Sequence, residues 1–229
     1  MKRITLLAVS AMFIFASCNN DAKTEGSTNP DSVSTTTTDG NITKENDDPD
    51  APKPYTRVDS ATMMKNWQAY ATPGDVHKMI ASWDGKWDAE ISSWWDANTP
   101  PMVSKAVCTN RMILGGRYQE TSFTGTMMGQ PFEGRGQMAF DNARKEFTST
   151  WTDNMGTGFS VMKGKWDDAT KTINLKGKMV DASAGDGVER PMREEYKVVD
   201  DNNHMLSMYC YGPDAKEFKA MEIKFTRKK

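Results

Sequence analysis

Three cysteines, two histidines and a near-cancelling balance of charge are what this chain has least to offer, and each shortage excludes a class of function. With 29 basic against 31 acidic residues the net charge is −2, and no basic stripe marks a nucleic-acid surface. Two histidines, and two cysteines once Cys18 is set aside, are too few for a structural zinc site. A nucleophile needs a base beside it. His77 falls in a helical entry segment and His204 in a polar turn, and neither sits in a catalytic motif. No phosphate loop or metalloprotease motif is present. The expectation is therefore no catalytic residue, no metal and no cofactor. Long apolar runs are missing too: Ile4 to Phe15 falls short of the roughly 20 residues a spanning helix needs.

That short run has a different meaning. Lys2-Arg3 precedes it and the small residues Ala16-Ser17 follow it, the layout of a secretory signal. Cys18, directly after, makes the segment resemble a bacterial lipoprotein signal. The resemblance implies cleavage before Cys18, acyl chains on that residue, and attachment to a bacterial membrane by lipid alone, on the periplasmic or cell-surface side. Two or more buried acyl chains hold a protein on a bilayer stably, at about 0.8 kcal/mol per methylene.

Residues 18–58 are rich in Asn, Asp, Thr, Ser, Pro and Lys, and no aromatic appears until Tyr55. Such a stretch buries too little apolar surface to offset its ordering entropy and reads as a disordered tether, with a reach of roughly 35 Å. The domain boundaries expected are 1–17 for the signal, 18–58 for the lipidated cysteine and tether, and 59–229 for one folded domain.

From Asp59 the pattern changes. Met63, Met64, Trp67 and Tyr70 fall near helical spacing, with Asp59 or Ser60 as cap, and Pro73-Gly74 ends the segment. A short helical turn is predicted over 75–81. After it the period becomes two. Trp87, Ala89 and Ile91 alternate with Asp88 and Glu90; Phe147, Ser149 and Trp151 with threonines; Ile173, Leu175 and Met179 with Asn174 and lysines; Met221, Ile223 and Phe225 with Glu222 and Lys224. Turn signals such as Gly115-Gly116, Asp141-Asn142 and Gly185-Asp186-Gly187 separate the runs. About ten strands at hairpin spacing predict an all-β, antiparallel up-and-down sheet, closed into a barrel because closure removes both exposed edges.

Gly85-Lys86-Trp87 on the first strand and Arg227 on the last are similar to the closing pair of lipocalin-like barrels (calycins). In those folds an arginine packs across the tryptophan of a Gly-x-Trp motif. The chain from Ala61 to Arg227 further resembles the bacterial family called domain of unknown function 1579. The resemblance rests on Pro73-Gly74 with His77, Trp83 to Trp87, Leu114-Gly115-Gly116-Arg117, Gly129 with Pro131-Phe132-Glu133-Gly134, Phe140-Asp141-Asn142, Trp151-Thr152-Asp153 and Phe225-Thr226-Arg227. Phe140 and Phe225 stand where a tyrosine is more usual. It implies a lipocalin-like barrel and no established activity.

A barrel of this size can enclose one small apolar ligand. The candidate lining is Met138, Phe140, Phe147, Trp151, Phe159, Val161, Leu175, Tyr196, Leu206 and Met208, side chains that could equally fill a solid interior. Asp153 is either an anchor for a polar head or a turn residue. Arg117, and Glu133 with Arg135, are candidates for recognising a carboxylate. Cys108 and Cys210 form one disulfide or remain two buried thiols. A haem on His204 and Cu(I) on the 17 methionines are set aside in favour of a turn residue and of adaptable core filler. The function expected is binding of a small, mostly apolar molecule. The rivals are a carboxylate-based hydrolase or isomerase using Asp153, and a filled barrel that serves a partner protein in the envelope.

Overall fold

Asp59 opens the regular structure of the protein in the computed structural model, which describes residues 52–229. The signal segment, Cys18 and the tether up to residue 51 lie outside the described residues. The stretch from Tyr55 to Lys229 forms one compact unit. Helix α1 (Ser60–Ala71) is capped by the Asp59 carboxylate, which accepts from the Thr62 N–H, and none of its residues is buried. Isolated helices of this length are marginal in water. Its C-terminal end is held by Asn142, whose side-chain amide donates to the carbonyls of Tyr70 (3.0 Å) and Thr72 (2.8 Å). Helix α2 (Asp75–Ala81) follows at once, and buries His77 and Ile80.

The ten strands are β1 (Gly85–Ser93), β2 (Met102–Ile113), β3 (Tyr118–Met127), β4 (Gln130–Asp141), β5 (Glu146–Asp153), β6 (Ser160–Asp167), β7 (Thr172–Val180), β8 (Glu189–Asp200), β9 (Asn203–Tyr211) and β10 (Glu217–Arg227). Each pairs antiparallel with its sequence neighbours, and β10 closes on β1, with Trp87 opposite Arg227 and Ile91 opposite Ile223. The result is a closed up-and-down barrel with no free edge.

The two ends of the barrel are built differently. At one end the connections are tight. Asp141, Asp167 and Asp200 each end a strand and accept backbone N–H groups from the turn that follows. These bonds hold the three carboxyls below the usual carboxylate range; at Asp167 the Thr170 hydroxyl contributes most. Helix α2 and Trp83 lie across this end. The Gln119 side-chain amide donates to the Ile80 carbonyl (2.8 Å) and to Asp84 (2.9 Å), so β3 is tied directly to the plug. At the other end four connections, 94–101, 154–159, 181–188 and 212–216, are longer, the β3–β4 turn at 128–129 is tight, and the helices do not reach it.

The interior follows the alternation of the strands. One cluster joins Trp87, Ala89, Ile91, Cys108, Phe123, Phe132, Ile223 and Phe225. A second joins Ile80 and Trp83 of the plug to Phe147, Met162, Ile173, Leu175 and Met192. Cys108 and Cys210 are separate thiols. Burial pushes the first up to about 12 and the second up to about 11, so neither is a reactive thiolate at neutral pH.

Candidate functional site

Two hollows mark the ends of the barrel. At the plugged end a cavity of about 560 Å³ lies between Met79, Trp83, Trp166, Asp201, His204 and Arg227. At the open end a cavity of about 1020 Å³ descends into the lumen, with Trp94, Met127, Met179, Met208, Cys210 and Met221 among its walls. Known ligand pockets are commonly about 300–1,000 Å³, mostly apolar with a few placed polar groups, and the larger cavity has that character. Methionine walls are adaptable, since an unbranched thioether repacks easily around different shapes. Cys210 Sγ and Met179 Sδ are 3.8 Å apart on this wall.

The plugged end is rigid for identifiable reasons. The Arg227 guanidinium lies 4.1 Å over the Trp87 ring, a contact that contributes about 0.5–2 kcal/mol. The same guanidinium donates to the carbonyls of Ser82 (2.8 Å), Asp84 (2.7 Å) and Asp201 (2.9 Å). Trp87 donates to the Trp83 carbonyl at 3.0 Å. His204 is not the exposed turn residue expected from its polar neighbours. It is the second residue of β9, shares the inward parity of Leu206 and Met208, and is 3% exposed. Its ring stacks 4.5 Å from Trp87, and its Nδ1 is 2.8 Å from the Tyr196 hydroxyl, while Nε2 has no hydrogen-bond partner. Burial, helped by the charge of Arg227, depresses its pKa to about 4, so it is a neutral ring at physiological pH.

Of the residues expected to touch a ligand, Met208 borders the open cavity. Trp151 and Asp153 stand in the wall of the first core cluster rather than on the cavity. Trp151 packs edge-on to Phe123 at 5.3 Å and donates to Asp153 at 2.8 Å. Asp153 also accepts from the Met155 N–H at 2.9 Å, so both its oxygens are engaged in the β5 turn. Gly134 and Gly136 face inward beneath this indole. A Cβ on Gly134 would lie 2.3 Å from Trp151, and the absence of side chains there is what seats the ring. Met138, Phe140 and Phe147 pack in the second cluster toward the plug, where Phe140 meets the ring of His77.

Several expectations are corrected. Phe159 is 68% exposed and precedes β6, and Val161 points outward with Lys163 and Lys165. The inward residues of that strand are Met162, Gly164 and Trp166. Arg117 is exposed in the β2–β3 turn at the plugged end, donating to Leu114, far from the open cavity. Glu133 and Arg135 point outward, while Gly134 between them and Gly136 after them face the lumen.

A residue missed by sequence reasoning lies on the lumen side of β8, opposite Met208 of the cavity wall. Glu194 alternates inward on β8 between Met192 and Tyr196, opposite Leu175 on β7 and Met208 on β9. It is half-buried. It has no hydrogen bond and no ion pair among the described residues, and burial raises its carboxyl to about 7. The signal was available: Met192, Glu194, Tyr196 and Val198 share one parity against Arg193, Glu195 and Lys197.

Among the described residues no cluster of His, Cys, Asp and Glu is arranged to hold a metal, and no helix is long and apolar enough to cross a membrane. A sequence profile described as "Protein of unknown function (DUF1579)" matches residues 72–227. The chain belongs to this family. The matched span runs from the end of α1 to the last residue of β10, so the family covers the plug and the whole barrel. No curated protein matches the chain. A solved structure with a similar fold, titled "Crystal Structure of Rv2717c from M. tuberculosis", is 10% identical, with a TM-score of 0.49, over 69% of this chain and 100% of that one.

Proposed function

We propose that this protein is an exported lipoprotein, held on a bacterial membrane through Cys18, whose barrel binds a small, mostly apolar molecule inside its open end. The observation that carries the reading is the asymmetry of the lumen. One end is packed solid around Trp87 and plugged by α2, and the other holds a cavity of about 1020 Å³ with sulfur-rich and aromatic walls. A barrel meant only as a rigid platform gains nothing from this hollow, since unfilled apolar space forfeits packing contacts. The likeness of Gly85-Lys86-Trp87 and Arg227 to the closing pair of lipocalin-like barrels supports the same function. Asp153, the carboxylate on which a hydrolase or isomerase would rest, is held by Trp151 and Met155.

The test is native mass spectrometry of the full chain extracted from its own membranes, followed by titration with 1-dodecanol. The reading expects a bound small molecule, or saturable dodecanol uptake, that is lost in Met208→Trp while the fold survives. Wild-type protein that emerges empty and takes up no dodecanol overturns it. Cys18→Ser is expected to move the protein out of the membrane fraction, and retention there overturns the lipid anchor.

A further inference from the structure

Among the described residues Glu194 stands apart from the other carboxylates on the lumen side of the barrel. Asp153 is bonded to Trp151 and Met155. At the rim, the Arg190 guanidinium is held by both oxygens of Asp186, and at the floor Arg227 is taken by three carbonyls. Tyr196 OH and His204 Nδ1 bond each other, and the neutral His204 ring offers no charge. Arg193, next to Glu194 in sequence, turns outward, where it pairs with Glu195 and Glu217 and lies over the Tyr209 ring. Glu194 has no counterpart in the described chain. Leu175, Met192 and Met208 surround it with apolar atoms, and Met208 is also a wall of the open cavity.

A carboxyl turned into an apolar lumen without a partner is costly, and natural structures hold such groups where something else completes them. Building on the reading of the lumen as a pocket, we propose that its ligand is a cationic amphiphile, which enters head-down and pairs an ammonium with Glu194 while its apolar body lies against Met179, Met208 and Met221. Among the described residues no cation pairs with this carboxylate, so the ligand supplies one. The low dielectric that penalises the lone carboxylate strengthens a charge-assisted bond once an ammonium arrives. The same geometry disfavours a fatty acid. With its head down it would set two carboxyls against each other, and with its head up beside Lys105 at the rim it would bury its tail on an unsatisfied Glu194.

The test uses three probes with one chain length: dodecylamine, 1-dodecanol and dodecanoate. They are titrated into the full chain at a pH of about 8, where the amine is still protonated. Affinity for the amine is expected to exceed that for the alcohol by about tenfold, with the acid weakest. Glu194→Gln is expected to erase the amine's advantage and leave the alcohol unchanged. Glu194→Leu serves as a second, well-packed replacement that should do the same with tighter alcohol binding. If dodecanol binds but the amine has no advantage, or keeps it in both variants, this inference falls and the pocket stands. If none of the three binds, the pocket falls and this inference with it.

Discussion

The floor and the mouth of this barrel are made by the same ten strands, yet they use them for opposite ends. At the floor, the connections are short, aspartates lock the turns, and the Trp87 indole and the Arg227 guanidinium are bonded to backbone carbonyls. At the mouth, four of the five connections are longer and methionines are prominent in the walls. The lesson is that a closed sheet does not by itself decide between a solid core and a container. That choice is made by what caps each end. Here α2 and Trp83 fill one end, and nothing in the described chain fills the other.

The comparison breaks most sharply under truncation. Trp87→Ala removes a fully buried indole and the platform on which Arg227 and His204 rest. It is expected to lower unfolding stability by about 3–5 kcal/mol in chemical denaturation. Equal tolerance of Trp87→Ala and a mouth substitution would mean that the floor is not the stability centre.

The two ends also titrate in opposite directions. His204 at the floor has its pKa lowered from 6.5 to about 4. The unfolded chain then binds the extra proton between those values, and stability rises with pH across that window. Glu194 below the mouth has its pKa raised from 4.5 to about 7. Here the folded state holds the extra proton, and stability falls as pH climbs through that range. Each effect amounts to about 2–3 kcal/mol, with Glu194 the smaller because it is half-buried. The floor aspartates, with pKa values lowered from 3.8, act below this window. The two slopes oppose from about pH 4.5 to 6.5, and His77, also lowered from 6.5 by burial, adds a further rise with pH, so wild-type stability is expected to vary less there than in either variant below. Urea melts of Glu194→Gln should show stability rising over that interval, and melts of His204→Gln should show it falling. Parallel profiles in the two variants would contradict the assignment of opposite slopes to the two ends.

The smallest effect belongs to the mouth itself. Met208→Ala next to the cavity has few contacts to lose and is expected to cost about 1 kcal/mol. A loss as large as that of Trp87→Ala would show that the mouth is packed and not hollow.

Most of the barrel was legible because period-two alternation survives even where the inward residue is glycine. Trp87-Ala89-Ile91 and Ile173-Leu175-Gly177-Met179 announced their faces directly. Strand β6 was misread at Phe159 and Val161, because an aromatic and a valine outweighed the lysines that share their parity. Its correct face, Met162-Gly164-Trp166, carries a glycine where an apolar side chain was sought. His204 was hidden by Asp200 to Asn203, since turn composition says nothing about whether the next residue points into a core. Glu194 was hidden by its charge. Carboxylates are expected outside unless paired, and the parity that put it inside counted for less than its type. The plug could be predicted as a helix but not placed, because Ile80 and Trp83 acquire their burial only from strands far away in sequence.

The container at the open end is the claim from which the rest follows, and methionine itself reports on it. With ¹³C-methyl methionine in the full chain, titration of 1-dodecanol is predicted to shift the Met179, Met208 and Met221 signals saturably and together, while Met162, packed in the core, stays in place. Signals that never saturate, or shifts confined to Met63 and Met64 on the exposed helix α1, would contradict it.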